Sequence, residues 1–113
     1  MTVYVDNMYL YPMGKYGRMK MSHMIADTTA ELVQMATRVG VNPKWIQHAN
    51  ESGEHFDICM SMRTKAICYG ARPITLKQCS LMSMRRRVEG VLGTPEEALA
   101  WRLELKGNGD DGA

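Results

Sequence analysis

An α/β fold, a small sheet of three or four strands with helices packed on at least one face, is predicted by three observations. Short runs near Val3, Met19 and Phe56 alternate apolar and polar residues at strand period. Two helical runs open on capping boxes, Thr28 with Glu31 and Thr75 with Gln78. Strand-like and helical runs also alternate along the chain, the pattern of layered α/β domains. With 113 residues the chain is long enough for one core and too short for two. Residues 1–106 are expected to form a single α/β domain, and residues 107–113, GNGDDGA, a solvated and disordered tail.

Thr2 to Asp6 is the first predicted strand, with Val3 and Val5 on one side and an acid at its end. Asn7 to Tyr16, with Pro12, Gly14 and four tyrosine or leucine side chains, predicts a long loop or hairpin arm with an aromatic tip. Arg18 to His23 alternates again, Met19, Met21 and His23 on one face and Arg18, Lys20 and Ser22 on the other. Thr28 then caps a helix whose apolar side is Leu32, Met35, Ala36 and Val39, stopped by Gly40. Val41 to Glu54, around Pro43 and Gly53, reads as a turn of helix followed by a mobile, lid-like loop.

His55 to Cys59 is the next strand, with Phe56 and Ile58 opposed to His55 and Asp57. Ser61 is expected to cap a helix to about Tyr69, and Arg72 to Thr75 to form a short fourth strand. Thr75 opens a helix to about Val88, and Thr94, Pro95 and Glu97 announce a last one through about Leu105.

Composition excludes several classes. A 45% apolar and 23% charged chain has the material for a packed core and does not read as intrinsically disordered. No apolar run approaches the roughly 18 residues needed to cross a bilayer, and the chain opens on a strand-like segment rather than a leader, so a soluble protein of the cytoplasm is expected. Three widely spaced cysteines, Cys59, Cys68 and Cys79, give neither a disulfide framework nor paired zinc spacing and read as small buried side chains. The eleven methionines read mainly as core filling.

The stretch from Gly17 to Leu32 runs a strand into His23, Asp27 and a capped helix, the kind of junction where α/β proteins gather ligands. Were the strands parallel, Asp6, His23, Asp27 and Asp57 would meet at one carboxyl edge as candidate catalytic residues. Such oxygen and nitrogen donors suit a divalent metal or proton transfer near neutral pH. His55 and Asp57 share a strand face and can hold one ligand together. A second lead is charge: between Ser61 and Val88 there are seven cations and no acid. With a net charge of only +2, attraction of a phosphate would be local. Arg63 and Lys65 are the preferred phosphate contacts, with Arg18 and His55 as further ligand-binding candidates. Arg85 to Arg87 equally suit the negative end of a helix dipole.

The stretches TVYVDNM (Thr2 to Met8), GRMKMSHMIADT (Gly17 to Thr28), HFDI (His55 to Ile58), Ser61 to Ala66 and TLKQCSLMSMRRR (Thr75 to Arg87) resemble the domain of unknown function 4031 family of bacteriophages, prophages and some actinobacteria. The family pattern often has an acid where this chain has Asn7 and a cysteine where it has Ser22. A metal site built on two adjacent acids is therefore not expected. The resemblance implies a small phage-associated protein and no mechanism. Three functions fit these features. The first is an accessory protein binding a phosphate-bearing ligand, nucleotide or nucleic acid, with countering host defence as one form of it. The second is a metal-dependent phosphoesterase or nuclease using the Asp/His cluster. The third is an adaptor whose tyrosine and methionine surfaces meet a partner or a second copy of the chain.

Overall fold

The computed structural model describes residues 2–111. Its sheet is organised around one strand, β3 (Met19–Ala26), which makes antiparallel pairs with three others. Along one edge lie β1 (Val3–Val5), in register Val3 to Ala26, and β2 (Lys15–Tyr16), in register Lys15 to Lys20. Along the other lies β4 (Phe56–Cys59), with His23 opposite Asp57. The outer edge of β1 is closed by the two-residue β5 (Arg72–Pro73), the one parallel pair. The result is a mixed five-stranded sheet, one or two strands more than expected. β5 is the short fourth strand expected at Arg72 to Thr75, and β2, two residues long, is too short to leave a periodic signal.

Helices cover both faces. On the first, α1 (Thr29–Val39) and α2 (Met60–Cys68) close over Val3, Val5, Met24, Phe56 and Ile58. On the second, α3 (Leu76–Glu89) and α4 (Pro95–Asp111) close over Tyr4 and Ile25, using Cys79, Met82, Leu92 and Ala98. Adjacent strand residues thus serve separate cores, which is why the middle of β3 is apolar on both sides. Among the described residues no helix is long and apolar enough to cross a membrane.

The helix ends follow their local chemistry. The Thr28 hydroxyl accepts the Glu31 N–H, and Gly40 closes α1 at φ 97°, a left-handed conformation that suits glycine. Thr75 and Gln78 form both bonds of a capping box, and Thr94 with Glu97 does the same before α4. At α2 the expectation fails: the helix starts at Met60 directly after β4, with Cys59 at the cap position and no side chain bonding the turn. The chain enters this helix without a loop, so Ser61 already lies inside it. The last helix, expected to end near Leu105, runs to Asp111. The expected tail is therefore helical as far as that residue, and Gly112 and Ala113 lie outside the described residues.

Three further expectations are corrected. His23 is an interior residue of β3, which continues through Met24, Ile25 and Ala26, and so it does not mark the strand-to-helix junction. The segment after α1 is no free lid. Gln47 and His55 form a two-way backbone bridge, the Ser52 carbonyl accepts from Arg86, and the buried Glu54 accepts from Asn50 and Thr29. Of the cysteines, Cys79 is buried, Cys59 half-buried and Cys68 exposed. The methionines divide likewise, with Met24 and Met82 fully buried and Met13 and Met19 on the surface.

Ser22 sits in the first core, paired with Ile58 and fully buried, and its hydroxyl has no hydrogen-bond partner. Leaving such a group unsatisfied costs about 1–3 kcal/mol. Ser22→Ala is therefore expected to raise stability by about 1 kcal/mol in denaturant titration, the small cavity offsetting part of the gain.

Candidate metal centre

The second face of the sheet changes character along its length. Beneath α3 and α4 it presents Tyr4 and Ile25; toward the rim of α3, whose Cys79 lies beside them, the same face presents Asp6, His23, Asp57 and His55. Strand alternation requires this, because Asp6 lies two residues from Tyr4 and His23 two from Ile25, while Asp57 is paired with His23. The antiparallel pairing of β1 with β3, not a shared carboxyl edge, brings Asp6 beside His23: the Asp6 N–H donates to the His23 carbonyl at 3.0 Å.

Asp6 is fully buried, and its carboxylate is saturated. One oxygen, Oδ1, accepts the backbone N–H groups of His23 (2.8 Å) and Met8 (3.1 Å). The other, Oδ2, lies 2.6 Å from His23 Nδ1. Because Oδ2 can only accept, Nδ1 carries the proton, and the Nε2 lone pair of His23 is left facing outward. His55 is fixed in the same sense, its Nδ1 donating to the Gly53 carbonyl at 2.7 Å. Asp57 is held from behind by Gln47, whose Nε2 donates to Oδ2 at 2.7 Å.

Three donor atoms therefore converge: His23 Nε2, His55 Nε2 and Asp57 Oδ1. Asp57 Oδ1 is 3.4 Å from His55 Nε2 and 4.0 Å from His23 Nε2, and the two imidazoles meet edge to face with centroids 4.9 Å apart. Ligands about 2.1 Å from a tetrahedral ion stand ~3.4 Å from one another; the His55–Asp57 pair already has that spacing, the His23–Asp57 pair would close by about 0.6 Å, and all three atoms lie within 4.8 Å of one another. Two imidazoles and a carboxylate suit zinc, iron or manganese better than magnesium or calcium, and they leave coordination positions for water and substrate. Each ligand also has the backing partner that such sites use to aim their donors: Asp6, Gly53 and Gln47.

The electrostatics reflect the same close contacts, and the proton they favour on His55 has to leave before that ring binds a metal. Burial works against the His55 imidazolium, yet the hydrogen bonds to Asp57 and Gly53 outweigh it and raise its pKa above the ordinary histidine value. Asp57 is held below the usual carboxylate range, chiefly by the hydrogen bond from His55 and also by Gln47, with burial opposing. Behind His23 lies Cys79, close to both Asp6 and the imidazole. Burial, reinforced by the neighbouring Asp6 carboxylate, pushes this thiol far above its ordinary range. Burial thus works against the thiolate that a nucleophilic role for Cys79 would require. A cavity of about 220 Å³ opens beside the two histidines, lined also by Gly53, Ser80 and Ser83.

Of the candidates drawn from the sequence, Asp6, His23, His55 and Asp57 come together and the rest do not. Asp27 lies at the opposite end of β1, where its carboxylate accepts the Thr2 N–H at 2.8 Å; antiparallel pairing sends it there. Arg63 commits its Nε to the Asp6 carbonyl (2.8 Å) and stacks over Tyr9, while Lys65 is exposed on α2 away from the cluster. Arg18 sits exposed at the turn between β2 and β3. The run of seven cations does not survive folding as one surface, since Arg72 pairs with Glu96 and Arg86 is spent on backbone carbonyls. Sequence reasoning missed Gln47 and Gly53, which become neighbours of the site only through the bridge between Gln47 and His55. Asn7, where the family pattern often has an acid, faces away from the site and accepts the first N–H of α3, Leu76, at 2.6 Å. Nothing is lost from the ligand set by its being an amide.

Fold and site together define a small two-faced α/β sandwich carrying a convergent His–His–Asp cluster on one sheet face, at the rim of α3. Residues 3–87 match the family described as protein of unknown function (DUF4031), and the chain belongs to that family. No curated protein and no solved structure matches it.

Proposed function

We propose that the protein is a metal-dependent phosphoesterase or nuclease acting in the cytoplasm of a phage-infected host. A single divalent ion is held by His23, His55 and Asp57. The observation that carries this reading is the convergence of three donor atoms whose opposite sides are all committed to partners, an arrangement a satisfied core histidine does not need. A divalent ion there supplies charge stabilisation for phosphoryl oxygens and acidifies water. Asp6 holds the His23 tautomer, Gly53 that of His55, and Gln47 the aim of Asp57. The phosphate-bearing ligand enters as substrate, while the preferred contacts Arg63 and Lys65 are set aside because neither faces the site. The test is turnover of bis(p-nitrophenyl) phosphate by metal-stripped protein resupplied with zinc, manganese or magnesium. Turnover is expected with zinc or manganese and a loss of at least about 100-fold in His55→Ala. Equal rates in wild type and variant would refute the assignment.

A further inference from the structure

The sheet face that carries the ligand set does not stop at His23. Paired strand residues share a face, so Asp57 and His23 continue into Cys59 and Met21, and then into Tyr16 and Met19 at the β2–β3 hairpin. This track runs roughly 13 Å from the metal ligands to the hairpin end. Neither α3 nor α4 covers its far end, where Tyr16 is 73% and Met19 48% exposed. The two side chains lie side by side in the register of the hairpin and present an apolar pair to solvent.

Charge lies on the same hairpin, where Lys15 and Lys20 pair with each other on the face opposite Tyr16 and Met19 and flank them at the edges. The six residues from Lys15 to Lys20 contain Lys15, Arg18 and Lys20 and no acid. None of the three forms an ion pair among the described residues. Lys15 lines a hollow of about 230 Å³ together with Tyr16, Met21 and the metal ligand Asp57. Arg18 and Lys20 line the adjoining one, of about 400 Å³, with Met19 and Cys59. The hairpin is held against the body at Gly14, where any side chain would overlap the Met8 carbonyl and crowd that of Met21. Its position relative to the ligand set is thereby fixed.

We infer that the β2–β3 hairpin is the substrate-binding arm for single-stranded nucleic acid, with Tyr16 stacking on a base and Lys15, Arg18 and Lys20 holding the backbone at the hairpin beside it. An exposed aromatic flanked by unpaired cations is the combination that binds single strands without reading sequence. A duplex does not fit as well, because its bases are not free to stack on Tyr16. This inference deepens the phosphoesterase reading and rests on the same site.

The experiment is fluorescence anisotropy of metal-stripped protein with labelled single strands of about 12 nucleotides, oligo(dT) and oligo(U), and a duplex control. Three phosphate contacts give an expected log–log salt slope of about −2 on a single strand. Replacing Lys15, Arg18 and Lys20 together by alanine should flatten that slope. Tyr16→Ala should weaken binding roughly five- to hundredfold with the slope unchanged. Arg18→Glu, at an exposed turn, answers the same question should the triple variant not fold. Tighter binding of one oligomer assigns DNA or RNA. Absence of single-strand binding in the wild type, preference for the duplex, or unchanged affinity in folded variants overturns the inference. Turnover of bis(p-nitrophenyl) phosphate by the wild type is measured in parallel. Strand binding without any turnover would leave the arm and remove the enzyme, whereas turnover without strand binding would do the reverse.

Discussion

Asp6→Asn is expected to weaken metal binding by about 10- to 100-fold while the protein stays folded. The orientation of the new amide is forced. Two backbone N–H groups, of His23 and Met8, point at Oδ1, so that position must remain an oxygen. The amide nitrogen then faces His23 Nδ1 in place of Oδ2. A donor there compels Nδ1 to accept and transfers the ring proton to Nε2, which removes the lone pair aimed at the metal. Asp6→Ala goes further, leaving three buried donors unpaired, and should cost about 3–5 kcal/mol of stability. The pair of variants separates two roles. If Asp6 merely filled space, the asparagine would be silent in both stability and metal affinity; the expected result is near-native unfolding together with impaired binding, read by calorimetric metal titration and chemical denaturation.

Arg86→Met should be the most damaging change far from the site. Its half-buried guanidinium donates to Ser52 O from Nε (2.9 Å) and Nη2 (2.6 Å), and to Ala26 O from Nη1 (3.0 Å). Burial lowers its pKa, yet with the acidic neighbours Glu54 and Asp27 it remains charged at any physiological pH. Methionine keeps the apolar stem and abandons the two carbonyls, a loss of about 2–4 kcal/mol. The consequence should reach the ligand set, because Ser52 precedes Gly53, whose carbonyl orients His55. Hydrogen exchange is expected to rise at Gln47 to His55 and metal affinity to fall. Exchange that rises evenly over the whole chain would show that Arg86 stabilises the fold without anchoring the loop.

How far the sequence carries depends on whether the controlling interactions are local. Of the two capping boxes named from spacing alone, Thr75 with Gln78 forms both bonds, while at Thr28 the hydroxyl accepts the Glu31 N–H but donates to the Glu31 carboxylate, so only half of that box is made; both caps were legible because their partners lie three residues apart. The family resemblance read from TVYVDNM and GRMKMSHMIADT is likewise upheld. Strand direction was not legible, since nothing within β1 or β3 says which way its partner runs. Asp27 was grouped with Asp6 on a parallel assumption, and the observed register, Val3 opposite Ala26, carries it to the other end. The seven cations between Ser61 and Val88 were contiguous in sequence only; folding turns Arg63, Arg72 and Arg86 toward three different partners. The backing groups Gln47 and Gly53 are small or neutral residues in a loop, and only the bridge to His55 gives them a role.

The most direct test is a zinc titration of metal-stripped wild type, His23→Ala, His55→Ala and Asp57→Ala, followed by calorimetry with each protein's fold checked by circular dichroism. One ion per chain in the wild type, with affinity reduced at least about tenfold in every folded variant, is the expected result. Stoichiometric binding that survives loss of His23 and His55, or no binding by the wild type at micromolar zinc, would contradict a metal centre at this place.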